Sequence, residues 1–132
     1  MAEPMTPQER ARQAAITAAL AELQAEYAES LPNLVSDLNA AGAAACAAGD
    51  STALRHLQTL AHRMHGAGGS YGFRGVSLAA AELEVLLANQ EQAKRPFDAV
   101  FAAKIRAALE EVEAVTSHEL AGFAAARAGS AI

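Results

Sequence analysis

The segment Leu54–Phe73, LRHLQTLAHRMHGAGGSYGF, concentrates the residues able to do chemistry. It holds three of the four histidines, His56, His62 and His65, and four of the nine glycines, Gly66, Gly68, Gly69 and Gly72. An imidazole can serve as nucleophile, metal ligand or proton shuttle. On an ideal helix, at about 100° per residue, Leu54, Leu57, Leu60, Ala61, Met64, Gly68 and Tyr71 share one side. His62 lies roughly 140° from Leu57, on the opposite, solvent-facing side. Its neighbours there are Arg55, Gln58, Thr59, Gly66 and Gly69. His65 sits at the boundary between the faces, and His56 points away from His62.

The glycines sharpen this picture. Each costs about 1 kcal/mol relative to alanine inside a helix, and this chain uses alanine almost everywhere else. Either the helix has ended and 66–75 is a flexible loop, or bare backbone is needed. Gly66 and Gly69 stand four and seven residues after His62, on its face. They are expected to leave the imidazole clear for something to approach. Gly68 and Gly72 point more towards the core, where another helix can come close.

The three uses of His62 are not equally supported. His62 and His65 form an HxxH pair, but no Glu-x-x-His bundle motif and no HExxH accompanies it, so no metal site is expected. General acid–base work needs an orienting carboxylate, and the residues alone assign none. A solvated surface histidine without a role is the ordinary case for any single His.

The elements that must position this segment follow from composition. Of 132 residues, 36 are alanine, nine are valine or isoleucine, and none is tryptophan. Strands want β-branched and aromatic side chains, whereas alanine is the best helix former. An all-α domain with closely packed helices is expected, as a single unit over 1–132. Ten basic against fifteen acidic residues, with no basic stripe interleaved with aromatics, argue against nucleic acid. Cys46 is alone, which excludes a disulfide framework and fits a reducing compartment. No signal peptide and no run of 18 apolar residues is present, so the expectation is a cytoplasmic protein that does not enter membranes.

Thr6-Pro7-Gln8-Glu9 reads as a capping box opening a first helix over about 7–27, with Ile16, Leu20, Leu23 and Tyr27 as its stripe. Pro32 disfavours an unbroken helix, so Ser30 is expected to cap a second one carrying Leu31, Leu34, Val35, Leu38 and Ala41. A kinked continuous helix is the alternative. Gly49-Asp50 closes this helix and opens the next, from about Ser51 into the glycines. A further helix covers about Val76–Ala88. The last starts near Pro96, with Phe97, Phe101, Ile105, Ala108, Val112 and Val115 in its stripe. Short connections favour an antiparallel four-helix bundle, with a core over about 30–126, the additional N-terminal helix, and a frayed tail over about 128–132.

Ala61-His62-Arg63-Met64-His65-Gly66, followed by Gly72 and then by Leu83-Glu84 in the next helix, resembles the histidine phosphotransfer (HPt) domain family. The Ala48–Asp50 turn and the helix order are similar too. The resemblance implies a four-helix bundle whose phosphorylated nucleophile is His62. Such a protein takes a phosphoryl group from the aspartate of one receiver domain and passes it to another, without an ATP site of its own. It implies a hybrid sensor histidine kinase and response-regulator receiver domains as partners. It also implies no cofactor here, with Mg²⁺ on the receiver only. Gly72 and Glu84 are then structural motif residues, and Arg55, Gln58, Thr59, Gly66 and Gly69 the docking surface.

One departure stands out. The family has lysine three residues after the histidine, where this chain has His65. A neutral imidazole donates one hydrogen bond but carries no full charge. His65 and Arg63 are expected to neighbour the phosphoryl group, with Arg55 and Arg74 at the rim. Two other readings stay open: a receiver-binding module that is not phosphorylated, and a helical scaffold or metal-binding bundle. The chain begins at Met1 and holds no kinase or receiver segment, so a separate shuttle protein is expected.

Overall fold

The computed structural model describes residues 3–130. Four helices follow one another: α1 over Pro7–Ala48, α2 over Ser51–Ser70, α3 over Arg74–Gln92 and α4 over Ala99–Ser130. Among the described residues there is no strand. Each helix packs on two neighbours, α1 on α2 and α4, and α3 on α2 and α4, which closes an antiparallel ring. No helix among the described residues is long and apolar enough to cross a membrane.

Local signals explain most of the boundaries. Thr6 accepts from the Glu9 backbone N–H at 3.1 Å, and Glu9 accepts from the Thr6 N–H at 2.9 Å, so the expected capping box forms. Gly49 turns the chain in the left-handed region at φ 64°, and Asp50 caps α2 by accepting from Ala53 N–H at 2.8 Å. Asp98, rather than Pro96, opens α4 by accepting from Phe101 N–H at 2.8 Å. Helix α4 continues through Ser130, past the expected onset of fraying at about 128, while residues 131–132 of that tail lie outside the described residues.

The first two expected helices are one. Pro32 lies inside α1 without ending it, and Ser30 is no N-cap; its hydroxyl donates back to the Tyr27 carbonyl at 2.7 Å. Proline removes one helical hydrogen bond and crowds the turn before it. Here its ring is exposed while Leu31 beside it is fully buried, so core packing of the flanking turns carries the helix through the proline. The additional N-terminal helix is therefore the first half of α1. Its stripe does not meet a core: Ile16, Leu20 and Leu23 are exposed, and burial begins at Tyr27.

Leu31, Leu38, Leu57, Leu83, Ile105, Val76 and Val112 are the largest fully buried side chains, and buried alanines fill the space between them. The aromatics sit at the ends. Tyr27 stacks on Tyr71 at 5.1 Å and on Phe73 at 5.7 Å, and Phe73 meets Phe123 at 5.4 Å. Phe97 and Phe101 pair edge-on at the other end. Burial, and then the neighbouring Tyr71, push the Tyr27 phenol up from its usual pKa.

Helix α3 has no side-chain cap of its own. Glu119 of α4 supplies one across the bundle, its Oε1 accepting from Val76 N–H at 3.0 Å. Gly75 makes room for that carboxylate, since a Cβ there would run into Glu119 and lie 2.8 Å from Val115. Glu119→Ala is expected to cost about 1 kcal/mol, as loss of a cap does, and to lower Tm by about 4 °C. Glu119→Gln, which keeps an acceptor, should recover most of it; thermal unfolding followed by circular dichroism measures both.

Candidate functional site

His62 stands midway along α2 with its side chain 73% exposed. Its Nδ1 lies 2.9 Å from Glu84 Oε1, on α3. A carboxylate only accepts, so in the neutral imidazole Nδ1 carries the ring proton and Nε2 keeps its lone pair. Glu84 is thus the orienting carboxylate that the sequence alone did not supply. A second histidine turns to the same group: His65 Nδ1 is 3.5 Å from Glu84 Oε2. That oxygen is buried and has no hydrogen-bond partner among the described residues.

The placement of Glu84 follows from the turn between α2 and α3. Gly72 adopts φ 84°, and Phe73 N–H returns to Gly68 O at 2.8 Å. Gln24 of α1 donates to the Tyr71 carbonyl at 3.1 Å and holds the turn from outside. Two antiparallel helices leaving one turn climb at the same rise per residue. Residues equally far from Phe73 therefore face each other. His62 and Glu84 are such a pair, each eleven residues from Phe73. That count was available in the sequence once the turn was placed.

The glycines divide into three roles. Gly66 is open: a Cβ there would meet nothing within 4 Å. Gly68 is the close-approach residue, since its Cβ would lie 3.1 Å from Ser77 N and 3.3 Å from Phe73 O. Gly69 does not simply clear the surface as expected, for its Cβ would sit 3.3 Å from Ser77 Oγ. Gly72 does not face the core; it is exposed, and its left-handed conformation is what the position requires. Ser77, which sequence reasoning missed, is buried and donates to the His65 carbonyl at 2.7 Å.

Arg55, Gln58, Thr59, His62, Arg63 and Glu84 line one shallow depression of about 300 Å³. The structure therefore brings together most of the expected docking residues. Thr59 spends its hydroxyl on the Arg55 carbonyl at 3.0 Å. Gly66 and Gly69 lie outside this lining, as does Arg74, which opens α3 beyond the Gly72 turn. His56 is exposed and takes no part. His62, His65 and Glu84 also offer three donor atoms within 4.8 Å of one another, a set able to hold a metal ion.

The Hpt domain family model matches residues 22–115 of the chain. The chain belongs to the Hpt domain family. Histidine phosphotransfer in phosphorelays, with receiver domains and kinases as partners, is what that family does. No curated protein and no solved structure matches the chain. The match begins at residue 22, close to where α1 first becomes buried, so the exposed start of α1 lies outside it.

Because Gly66 meets nothing, Gly66→Ala is expected to stabilise the fold by up to about 1 kcal/mol through helix propensity. Gly68→Ala, which must push against the Ser77 backbone, is expected to destabilise it. Denaturant unfolding of the two variants reads the difference in sign.

Proposed function

We propose that the chain is a phosphorelay carrier that receives a phosphoryl group on His62 from a receiver-domain aspartate and hands it to a second receiver. The observation that carries this reading is the His62–Glu84 hydrogen bond on an open helix face. It engages Nδ1 and leaves Nε2 of the neutral ring with its lone pair, on a side chain that is largely exposed. In the step, that lone pair forms a P–N bond while the P–O bond to the receiver aspartate breaks. The aspartate carboxylate leaves with the electron pair. The proton stays on Nδ1, so the phosphorylated ring is cationic and remains bonded to Glu84. Return transfer to a second receiver reverses each change.

Such transfer depends on positioning and on charge stabilisation. The first is met by a nucleophile mounted on a helix whose inner face is locked in the core. For the second, His65 and Arg63 flank the phosphoryl position on this side, and the receiver brings its own Mg²⁺. Gln58, Thr59 and the open backbone at Gly66 form the ground on which the receiver settles, with Arg55 at its edge. A hybrid sensor histidine kinase upstream and a response regulator downstream complete the route. Cys46, a free thiol, suits a reducing, cytoplasmic setting.

Incubation with a phosphorylated receiver domain tests the reading. Wild type should acquire acid-labile, alkali-stable label, and His62→Gln should acquire none. Gly66→Leu should keep the fold and slow transfer by about tenfold or more, since small misplacements in a docked complex are costly. His65→Ala should transfer more slowly than wild type; equal rates would remove His65 from its role beside the phosphoryl group. Label persisting in His62→Gln sinks the assignment, and a complex without label points to a receiver-binding module that is not phosphorylated.

A further inference from the structure

We propose that His62, His65 and Glu84 form a binding site for a divalent transition metal, zinc above all, and that its occupancy silences His62. The site stands on geometry alone; only the silencing rests on the function proposed above.

One of the two contacts to Glu84 fits a shared ion better than a hydrogen bond. His65 Nδ1 and Glu84 Oε2 are 3.5 Å apart, too far for a good hydrogen bond. Oε2 is nevertheless buried and otherwise unpartnered, an expensive state for a carboxylate oxygen. Two ligands bonded to one tetrahedral zinc at about 2.0–2.1 Å are separated by roughly 3.3 Å. The observed gap is close to that span. His62 Nδ1, 2.9 Å from the other carboxylate oxygen, completes a set whose members all lie within 4.8 Å. Two imidazole nitrogens and one carboxylate are donors for zinc and its transition-metal neighbours, not for magnesium or calcium. The exposed rim leaves a fourth position for water. Arg55 and Arg63 share the depression and oppose a cation, which keeps the affinity moderate.

The silencing follows from the tautomer. A metal on His62 Nδ1 takes the lone pair of that nitrogen, so the ring proton must move to Nε2. Nε2 is the nitrogen that would attack phosphorus. A protonated Nε2 has no lone pair to give. Zinc and a phosphoryl group are thus alternative occupants of one imidazole, although they touch different nitrogens.

Calorimetric titration of the unphosphorylated protein with zinc chloride, together with the visible spectrum of its cobalt(II) form, tests the site. One ion per chain is expected, with His65→Ala and Glu84→Gln each weakening binding by about tenfold or more. His118→Ala, remote from the cluster, should bind as wild type does. Absence of binding at submillimolar zinc, or binding that neither substitution weakens, overturns the site. With pre-phosphorylated receiver, zinc should slow label uptake by wild type at least tenfold, and a chelator should restore it. The rate of His65→Ala should not respond to the same zinc. If zinc slows both proteins alike, or neither, the silencing is overturned. If wild type takes up no label even without zinc, the proposed function has failed, and the titration still decides the site.

Discussion

The site depends on how closely α3 approaches α2 beside the Gly72 turn. Gly68 lets the Ser77 backbone come within reach, and Gly69 accepts the Ser77 side chain. The Ser77 hydroxyl then bonds the His65 carbonyl, one turn past His62 on the same helix. This contact sets the register of the two helices. From there the geometry is forced, because both helices rise at the same rate away from the turn. A one-residue slip of α3 would rotate Glu84 by about 100° and leave both histidines without it. The orientation of His62 is therefore decided at residues that never touch it.

The remainder of the bundle keeps that register rigid. With buried alanine at positions such as Ala45, Ala61 and Ala80, the helices can come together around a thin core. A thin core has little volume to spare, and interiors at native density resist displacement. The bulky aromatics are kept for the two ends, where loops would otherwise leave gaps. At the Gly72 end, Tyr27, Tyr71, Phe73 and Phe123 tie α1, the turn and α4 into one cluster, and Gln24 and Glu119 add polar ties. His62 thus sits on the outside of a helix that is clamped at both ends. Exposure of the side chain coexists with burial of Leu57, Ala61 and Met64 on the helix's inner face.

What could be read in the sequence, and what could not, divides along physical lines. Periodicity placed the core stripes of α2 and α4 and the outward face of His62, because a helix maps sequence to face by geometry alone. Capping chemistry placed Thr6, Asp50 and Gly49. Pro32 misleads because core packing of Ala28, Leu31 and Val35 on either side outweighs its cost, and packing is a tertiary property. Ile16, Leu20 and Leu23 misled because apolar spacing marks a face without saying whether anything covers it. Gly69 and Gly72 were assigned by angle around an ideal helix, whereas one meets a side chain from α3 and the other has left the helix. Glu84 is legible as half of a motif, but its pairing with His62 is not, since pairing across a turn needs the turn centre first. Once Phe73 is taken as that centre, the pairing is a matter of counting.

The shared carboxylate also resolves an apparent conflict of charge. A phosphorylated histidine gains negative charge, so an acidic residue in direct contact looks unfavourable. Its placement decides the sign. Glu84 contacts Nδ1, across the ring from Nε2, so in the proposed carrier it would pair with the cationic side of a phosphoimidazole rather than with the phosphoryl oxygens. The same carboxylate serves both proposals, because it accepts the Nδ1 proton and is also one of the three donors of the proposed metal site. A lysine in place of His65 would offer its charge to the phosphoryl group and no lone pair to a metal. Histidine at 65 gives up that fixed charge and gains a lone pair, the exchange on which the proposed sharing of the His62 imidazole between a phosphoryl group and a metal rests.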